Sequence, residues 1–234
     1  MPYEFRLDVL LQYREQLASG LLMTLWLSVA SMVFGTLAGV VFASLRSVGG
    51  RLVRLLVDAY VEIIRNTPFL VQLFIIYFGL PTIGMRVGAI TAALIAMIIN
   101  LTAYSTEIIR AGIESIHPSQ IEAGEALGLT QFQIYRDIVI LPAVAKVYPS
   151  LCSQFVLMML ASSVCSAIST PELTAAASFA QSQSYRSFEV YIAVSLIYLG
   201  LALCLRGVLA LIGWRLFGRP GKGRPTLPLM AEAA

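Results

Sequence analysis

Charge is scarce in this sequence. Its 234 residues include 13 aspartates and glutamates, 16 lysines and arginines and one histidine, and the carboxylates avoid the centres of the long apolar runs. Too few cations cluster anywhere to follow a phosphate backbone, so nucleic acid is excluded as a partner. No histidine or paired-carboxylate constellation lies within the apolar runs, which argues against a membrane acyltransferase or protease. The same lack of buried acids, with no evident internal repeat, disfavours the alternative of an ion-gradient-driven secondary transporter of small polar solutes. Cys152, Cys165 and Cys204 lie in apolar sequence without ligand spacing, so no disulfide or zinc site is expected. His117, beside Pro118, has no ligand cluster and receives no role. No G-x-x-x-x-G-K-[ST] occurs, and neither Lys146 nor Lys222 is set in a glycine-rich phosphate loop. The chain is therefore expected to bind no cofactor and to be no enzyme. Its opening, "MPYEFRLDVLLQYREQLASG", lacks the basic stretch and cleavage site of a removable signal, so the first span is expected to stay.

Apolar residues are what the sequence has in quantity, 58% of the total. They form blocks at Leu21 to Leu45, Phe69 to Leu80, Ala89 to Tyr104, Leu151 to Ile168 and Val190 to Ile212. A spanning helix takes about 20 residues, so the expected fold is an all-α membrane protein of about five transmembrane helices. The second block is short and must borrow neighbouring residues or be sheltered by protein. Asn66 and Thr67 are capping types and Pro68 suits a first helical position, while Gly79 and Pro81 mark the end. Arg46, Arg51, Arg54, Arg65, Arg110, Arg136, Lys146, Arg215, Arg219, Lys222 and Arg224 fall on one side of these spans, and Arg6, Arg14, Arg86 and Arg186 on the other. The positive-inside rule then places the amino terminus outside and the carboxy terminus in the cytoplasm. The expected division is an amphipathic segment 1–20, a transmembrane domain 21–214 and a cytoplasmic tail 215–234.

One polar stretch interrupts this pattern, "SQIEAGEALGLTQFQIYRDIVILPAV" from Ser119 to Val144. Ser119 with Glu122, and Thr130 with Gln133, are spaced as two capping boxes, and Gly128 lies before the second. Glycine takes the left-handed conformation that ends a helix without steric penalty. The stretch therefore specifies a short helix, a sharp turn and a second helix. Glu122 is expected to serve its own cap. Ile121, Leu127, Leu129, Phe132 and Ile134 interleave with polar residues, a surface that either packs on its own bundle or fills a groove in another protein.

"EAGEALG" with the later "ILP" resembles the cytoplasmic signature of permease subunits in ATP-binding-cassette (ABC) importers. "GLLMTLWLSVAS", "VEIIRNTPFLVQLFIIYFGLP", "AYSTEIIRAGIESI" and "SSVCSAISTPEL" are similar to successive segments of the polar amino acid permeases of the histidine, glutamine and arginine type, over roughly residues 16 to 212. The resemblance implies a type I ABC importer permease fold in the bacterial inner membrane. It also implies that 117–142 is a coupling loop seated on a cytosolic ATPase dimer, which would hold the ATP and magnesium. Glu122, Ala123, Gly124, Gly128, Leu141 and Pro142 match the signature. Further implied partners are a second permease subunit, identical or paralogous, an extracytoplasmic substrate-binding protein and the membrane lipid. The implied substrate is a polar amino acid or a related compound, opine-like derivatives included. This sequence departs from the pattern at Gly124, where alanine is usual, at Ser119, where glycine is common, and in a Gly128-to-Pro142 spacing one residue longer. Leu160 and Ala161 stand where relatives commonly carry a lysine and an aspartate.

Polar groups inside spans are costly and face a partner or a cavity, which makes Gln72, Asn100, Thr102, Tyr104, Ser162, Ser163 and Ser166 candidates for the substrate path. Asn100, an amide deep in an apolar run, is the strongest; the serines more often bond their own helix. Gly35 and Gly39 form a G-x-x-x-G suited to a close helix crossing. Glu107 with Arg110, and Glu62 with Arg65, are spaced as same-face pairs. Thr170 to Glu189 is expected outside, as part of the surface that receives the binding protein.

Overall fold

The computed structural model describes residues 8–218, so Arg6, Arg219, Lys222 and Arg224 lie outside the described residues. A short α1 (Asp8–Gln12) leads into α2 (Arg14–Val48), which starts well before the apolar block does. Then follow α3 (Arg51–Arg65), α4 (Phe69–Thr82), α5 (Ala89–Glu114), α6 (Pro118–Ala126), α7 (Gln131–Gln133), a π-helical turn Ile134–Ile140, α8 (Leu141–Ala161), a 3-10 stretch Ser162–Ile168, α9 (Leu173–Ser184) and α10 (Ser187–Phe217). Among the described residues, four stretches are long and apolar enough to cross a membrane, and a fifth is formed if α3 and α4 are taken together.

α3 and α4 are bent by 107°, so the short second block is one half of a bent pair, a broken span or a re-entrant loop. Asn66 and Thr67 do not cap α4. Asn66 Nδ2 donates back to the Glu62 carbonyl and carboxylate, Thr67 Oγ1 donates back to Ile63 O, and Pro68, extended, takes the N-cap position itself. α4 also runs through Gly79 and Pro81 to Thr82.

α2 and α5 form the most extensive helix pair. Gly35 and Gly39 face α5 there; a Cβ on Gly39 would lie 2.5 Å from Ser105 Cβ and 3.1 Å from the Thr106 amide nitrogen. The expected close crossing is thus formed. The alanines of α5 continue it: Ala92, Ala93 and Ala96 are fully buried with Leu27, Leu73, Met97 and Leu101 in the main core. Small side chains let α2, α4 and α8 approach one central helix, which explains why α5 is the most buried span.

A second cluster joins Leu17 of α2, Leu173, Ala177 and Ala180 of α9, and Val190 and Val194 of α10. Glu172 fastens this end. It is fully buried in the turn ahead of α9, where its carboxylate accepts from the amides of Thr174 (2.9 Å) and Ala175 (2.8 Å) and from Tyr198 Oη (2.7 Å). Burial pushes its carboxyl above the usual range, against the pull of those hydrogen bonds. Thr24 Oγ1 accepts from the next amide, Leu173, at 3.1 Å. Glu172→Ala removes a helix cap and one of the two partners of the half-buried Tyr198 hydroxyl, which keeps Thr174 Oγ1 at 3.0 Å, and is expected to cost about 1–2 kcal/mol. Glu172→Gln keeps one acceptor oxygen and is expected to cost less. Thermal unfolding of the two variants in detergent tests that order.

Candidate functional site: the loop between α5 and α8

The polar stretch folds as two short helices around a glycine. α6 ends in a Schellman motif, in which the Gly128 amide donates to Glu125 O (2.9 Å) and the Leu129 amide to Gly124 O (3.1 Å). Gly128 has φ +74°, and nothing lies within 4 Å of where its Cβ would be. The turn thus depends on backbone conformation alone. The second capping box forms as expected: Gln133 Oε1 accepts from the Thr130 amide at 2.9 Å, and the Gln133 amide donates to Thr130 Oγ1 at 3.4 Å.

The first box does not form. Pro118 occupies the first turn of α6, so the N-cap falls on His117, whose Nδ1 accepts from the Ser119 amide at 3.2 Å and lies 2.7 Å from Ser119 Oγ. The histidine therefore has a structural role that its sequence surroundings did not suggest. Glu122 is released from capping: it is exposed, with no hydrogen bond or ion pair among the described residues. Ala123 is exposed and Gly124 buried. Leu127, Phe132 and Leu141 are 80%, 72% and 58% exposed, so the outer surface of the loop is an apolar ridge beside a free carboxylate. Pro142, half-buried, lies in the first turn of α8.

The inner surface is fastened to both neighbouring spans. Ile116, Val139 and Ala143 form a small core with Ile113 and Ile121. Lys146 Nζ donates to Ser115 O at 3.0 Å, and a Cβ on Gly112 would fall 2.1 Å from Val147 Cγ1, so α5 and α8 touch backbone to side chain. Beside this joint an ionic chain runs across three helices. Arg110 donates to Glu107 (2.6 Å) and to Glu114, Arg46 pairs with Glu114 (3.4 Å) and Asp58, and Arg65 reaches Glu107 at 3.5 Å. The expected Glu107 and Arg110 pair is present. The Glu62 and Arg65 pair is not: Glu62 takes Asn66, and Arg65 turns to Glu107 and over the Tyr104 ring at 5.5 Å. Helix spacing predicts only local partners, and a nearer carboxylate on another helix wins.

Among the polar residues within the spans, the structure joins two. Asn100 Nδ2 donates to Gln72 Oε1 at 2.9 Å, both residues being about 6% exposed. Gln72 Nε2 donates to Ile64 O at 2.7 Å and Thr67 Oγ1 at 2.8 Å. This amide pair therefore braces the break between α3 and α4. Thr102 donates to Ile98 O within its own helix. Ser162, Ser163 and Ser166 likewise donate to Met159, Leu160 and Ser163 carbonyls, and none of them hydrogen-bonds to the amide pair.

The family model for the binding-protein-dependent transport system inner membrane component matches residues 20–218. The glutamine transport system permease protein GlnP of Escherichia coli (strain K12) is 33% identical over 195 residues, 82% of this chain and 89% of that protein. Among solved structures, an amino acid ABC transporter crystallised with histidines aligns with a TM-score of 0.84 and 37% identity, over 91% of this chain and all of that one. The inward-facing MetNI methionine ABC transporter shares the fold at a TM-score of 0.71 and 20% identity, over 86% of this chain and 96% of that one.

Proposed function

We infer the function from the premise that this chain belongs to the family of binding-protein-dependent transport system inner membrane components. It is the permease subunit of an ATP-driven importer of amino acids in a bacterial inner membrane, and the ion-driven alternative is set aside. Such permeases work with an ATPase and a substrate-binding protein. Here the ATP and magnesium belong to a pair of cytosolic ATPase subunits, and a second permease subunit completes the path. The amino terminus lies outside and the loop inside, by the distribution of arginines.

The observation that carries this reading is the loop itself. The loop, fixed on its inner face to α5 and α8, presents Leu127 after α6, Phe132 of α7 and the exposed Glu122 outward. A partner that grips this ridge moves the spans with it, because packed elements shift as units. Glu122, Ala123, Gly124, Gly128, Leu141 and Pro142 form the coupling element. Glu122 pairs with a basic group of the ATPase, since no described residue of its own chain uses it. The Gln72 and Asn100 pair, beside Thr102 and Tyr104, marks the substrate path at the bend between α3 and α4. The serines, satisfied by their own helix, contribute less.

Purification of the chain from its native membrane in mild detergent is expected to recover an ATPase subunit. Glu122→Ala combined with Leu127→Ala should lose at least tenfold of that ATPase at unchanged permease abundance. Recovery of a partnerless protein that still takes up amino acids into sealed vesicles without ATP would overturn the reading.

A further inference from the structure

Arg206 is the one charge of α10 between Glu189 and Arg215, and α10 is the least buried of the described spans. Two exposed aromatic side chains frame its apolar length, Tyr191 near the start and Trp214 near the end. They stand 23 residues apart, about 34 Å of helix, which matches a hydrocarbon layer of about 30 Å with aromatic rings at both edges. Arg206 lies eight residues, about 12 Å, inside the Trp214 edge. A charge at that depth is costly and faces a partner or a cavity. Among the described residues Arg206 has neither a hydrogen bond nor an ion pair, but it does line a cavity.

The cavity is a cleft of about 700 Å³ between α8 and α10, walled by Tyr148, Cys152 and Ser153 on one side and by Arg206, Gly213 and Phe217 on the other. Tyr148 is a fixed part of the wall: its hydroxyl donates to Leu209 O at 2.6 Å, and its ring meets that of Phe217 at 5.3 Å. The cleft runs from Arg206 to Gly218, just past the end of α10. With the carboxy terminus in the cytoplasm, as inferred above, it opens inward and carries the arginine at its deep end.

An anion for Arg206 has three sources. A second identical subunit is a poor one. Apart from Glu15 at the outer start of α2, the acids of the described spans are in use: Asp58, Glu107, Glu114, Asp137 and Glu189 hold arginines, and Glu62 holds Asn66. A lipid phosphate lies beyond the aromatic edge, about 12 Å away along the helix, and the Arg206 Cβ is tilted toward the amino terminus of α10, which leads deeper. A small carboxylate that enters at the cytoplasmic end meets neither obstacle. Every amino acid that an importer releases on that side carries one.

We propose that Arg206 is a substrate-binding residue in the inner half of the path, where its guanidinium holds the α-carboxylate of the amino acid within the cleft between α8 and α10. Arginine suits that task because its planar fork takes a carboxylate through two parallel hydrogen bonds and stays charged out of water. Mostly apolar walls with a few polar groups are the usual composition of a small-molecule site. The proposal rests on the importer reading and on the orientation given above.

The native Cys152 reports from inside the cleft. In the complete transporter carrying Cys204→Ser, with Cys165 fully buried, Cys152 is labelled from the cytoplasmic face of inside-out vesicles by a methanethiosulfonate that bears either a sulfonate or a trimethylammonium group. Arg206→Gln is expected to lower the ratio of sulfonate to ammonium labelling rates at least fivefold, and Arg206→Lys to keep it within about twofold. These rates are read per chain and do not depend on abundance. Whichever standard amino acid the native complex imports fastest is expected to slow sulfonate labelling at least fivefold in the native chain and not in Arg206→Gln. Its α-amide, which lacks the carboxylate, should protect neither. Equal protection by the amino acid and its amide, or of the native and Arg206→Gln chains, overturns the carboxylate role. Protection by phosphatidylglycerol in the vesicles, with none from the amino acid, overturns it in favour of a lipid phosphate. A Cys152 that neither reagent reaches from either face overturns it by placing the second subunit over the cleft. Failure of the importer reading would appear separately, as a native complex that takes up no standard amino acid.

Discussion

Gly128→Val will leave the chain inserted and folded but reduce amino acid uptake by at least tenfold. The physical reason is confined to one residue. At φ +74° Gly128 occupies the left-handed region, where a β-branched residue is a genuine outlier, while no neighbour lies within 4 Å of its Cβ position. Nothing clashes, so the spans and their cores are unaffected. What changes is the Schellman turn: valine prefers to leave the left-handed region, at a cost to the turn of roughly 1–2 kcal/mol or more, and the amides of Gly128 and Leu129 then lose their acceptors. The second short helix would leave α6 at a different angle, and the ridge would no longer match its ATPase groove. Asparagine tolerates the left-handed region, so Gly128→Asn is expected to keep most of the uptake. Uptake per inserted chain, measured for both variants, decides the matter; equal activity of the Gly128→Val and native chains would show that the turn does not set the coupling geometry.

That prediction could be made from the sequence because a glycine between two helix signals dictates a backbone conformation by itself. The spans were legible for the same kind of reason: long apolar blocks have one stable state in lipid. Other features depend on contacts that no local pattern carries. α3 spaces Arg51, Arg54, Asp58, Glu62 and Arg65 three or four apart, as an amphipathic helix does, but nothing local joins it to the next block; packing, with Val57 and Val61 buried and Tyr60 donating to Ile99 O of α5 at 2.6 Å, makes it the first half of that bent pair. Asn100 stood out as an amide in an apolar run, but its partner Gln72 lies 28 residues away and becomes visible only in the fold. The misplaced cap at α6 had a signal. Proline favours the first helical turn, which puts the cap on the residue before it, and the preference of serine for capping concealed that. The longer spacing before Pro142 was visible in the sequence; that Ile134–Ile140 is wound as a π-helix, with the Leu141 amide on Arg136 O, is seen only in the fold.

Gly39→Leu is expected to have the largest effect on the protein as a whole, with a fall in membrane abundance of at least fivefold. The contrast with Gly128 is instructive, because here φ is unremarkable and the space is absent. An added Cβ would meet Ser105 Cβ at 2.5 Å and the backbone of Ser105 and Thr106 at 3.2 and 3.1 Å. Backbone atoms of a central helix cannot step aside as a side-chain end can. The α2 and α5 axes must therefore separate, and the main core built around Leu27, Met97 and Leu101 separates with them. Overpacking alone costs about 1–3 kcal/mol, and loss of the crossing adds to it. Gly35→Leu should be milder, since the atoms it would meet are all on the Leu101 side chain. Gly39→Ala should fall between the two extremes, and Ser105→Gly should partly rescue it. The Ser105 hydroxyl is buried without a hydrogen-bond partner among the described residues, so removing it forfeits no bond while opening the space. Immunoblots of membrane fractions, normalised to transcript, measure all four. An ordering in which Gly35→Leu is worse than Gly39→Leu would mean that the crossing closes on the Leu101 side chain, and that the α5 backbone at Ser105 has more freedom than a packed central helix should allow.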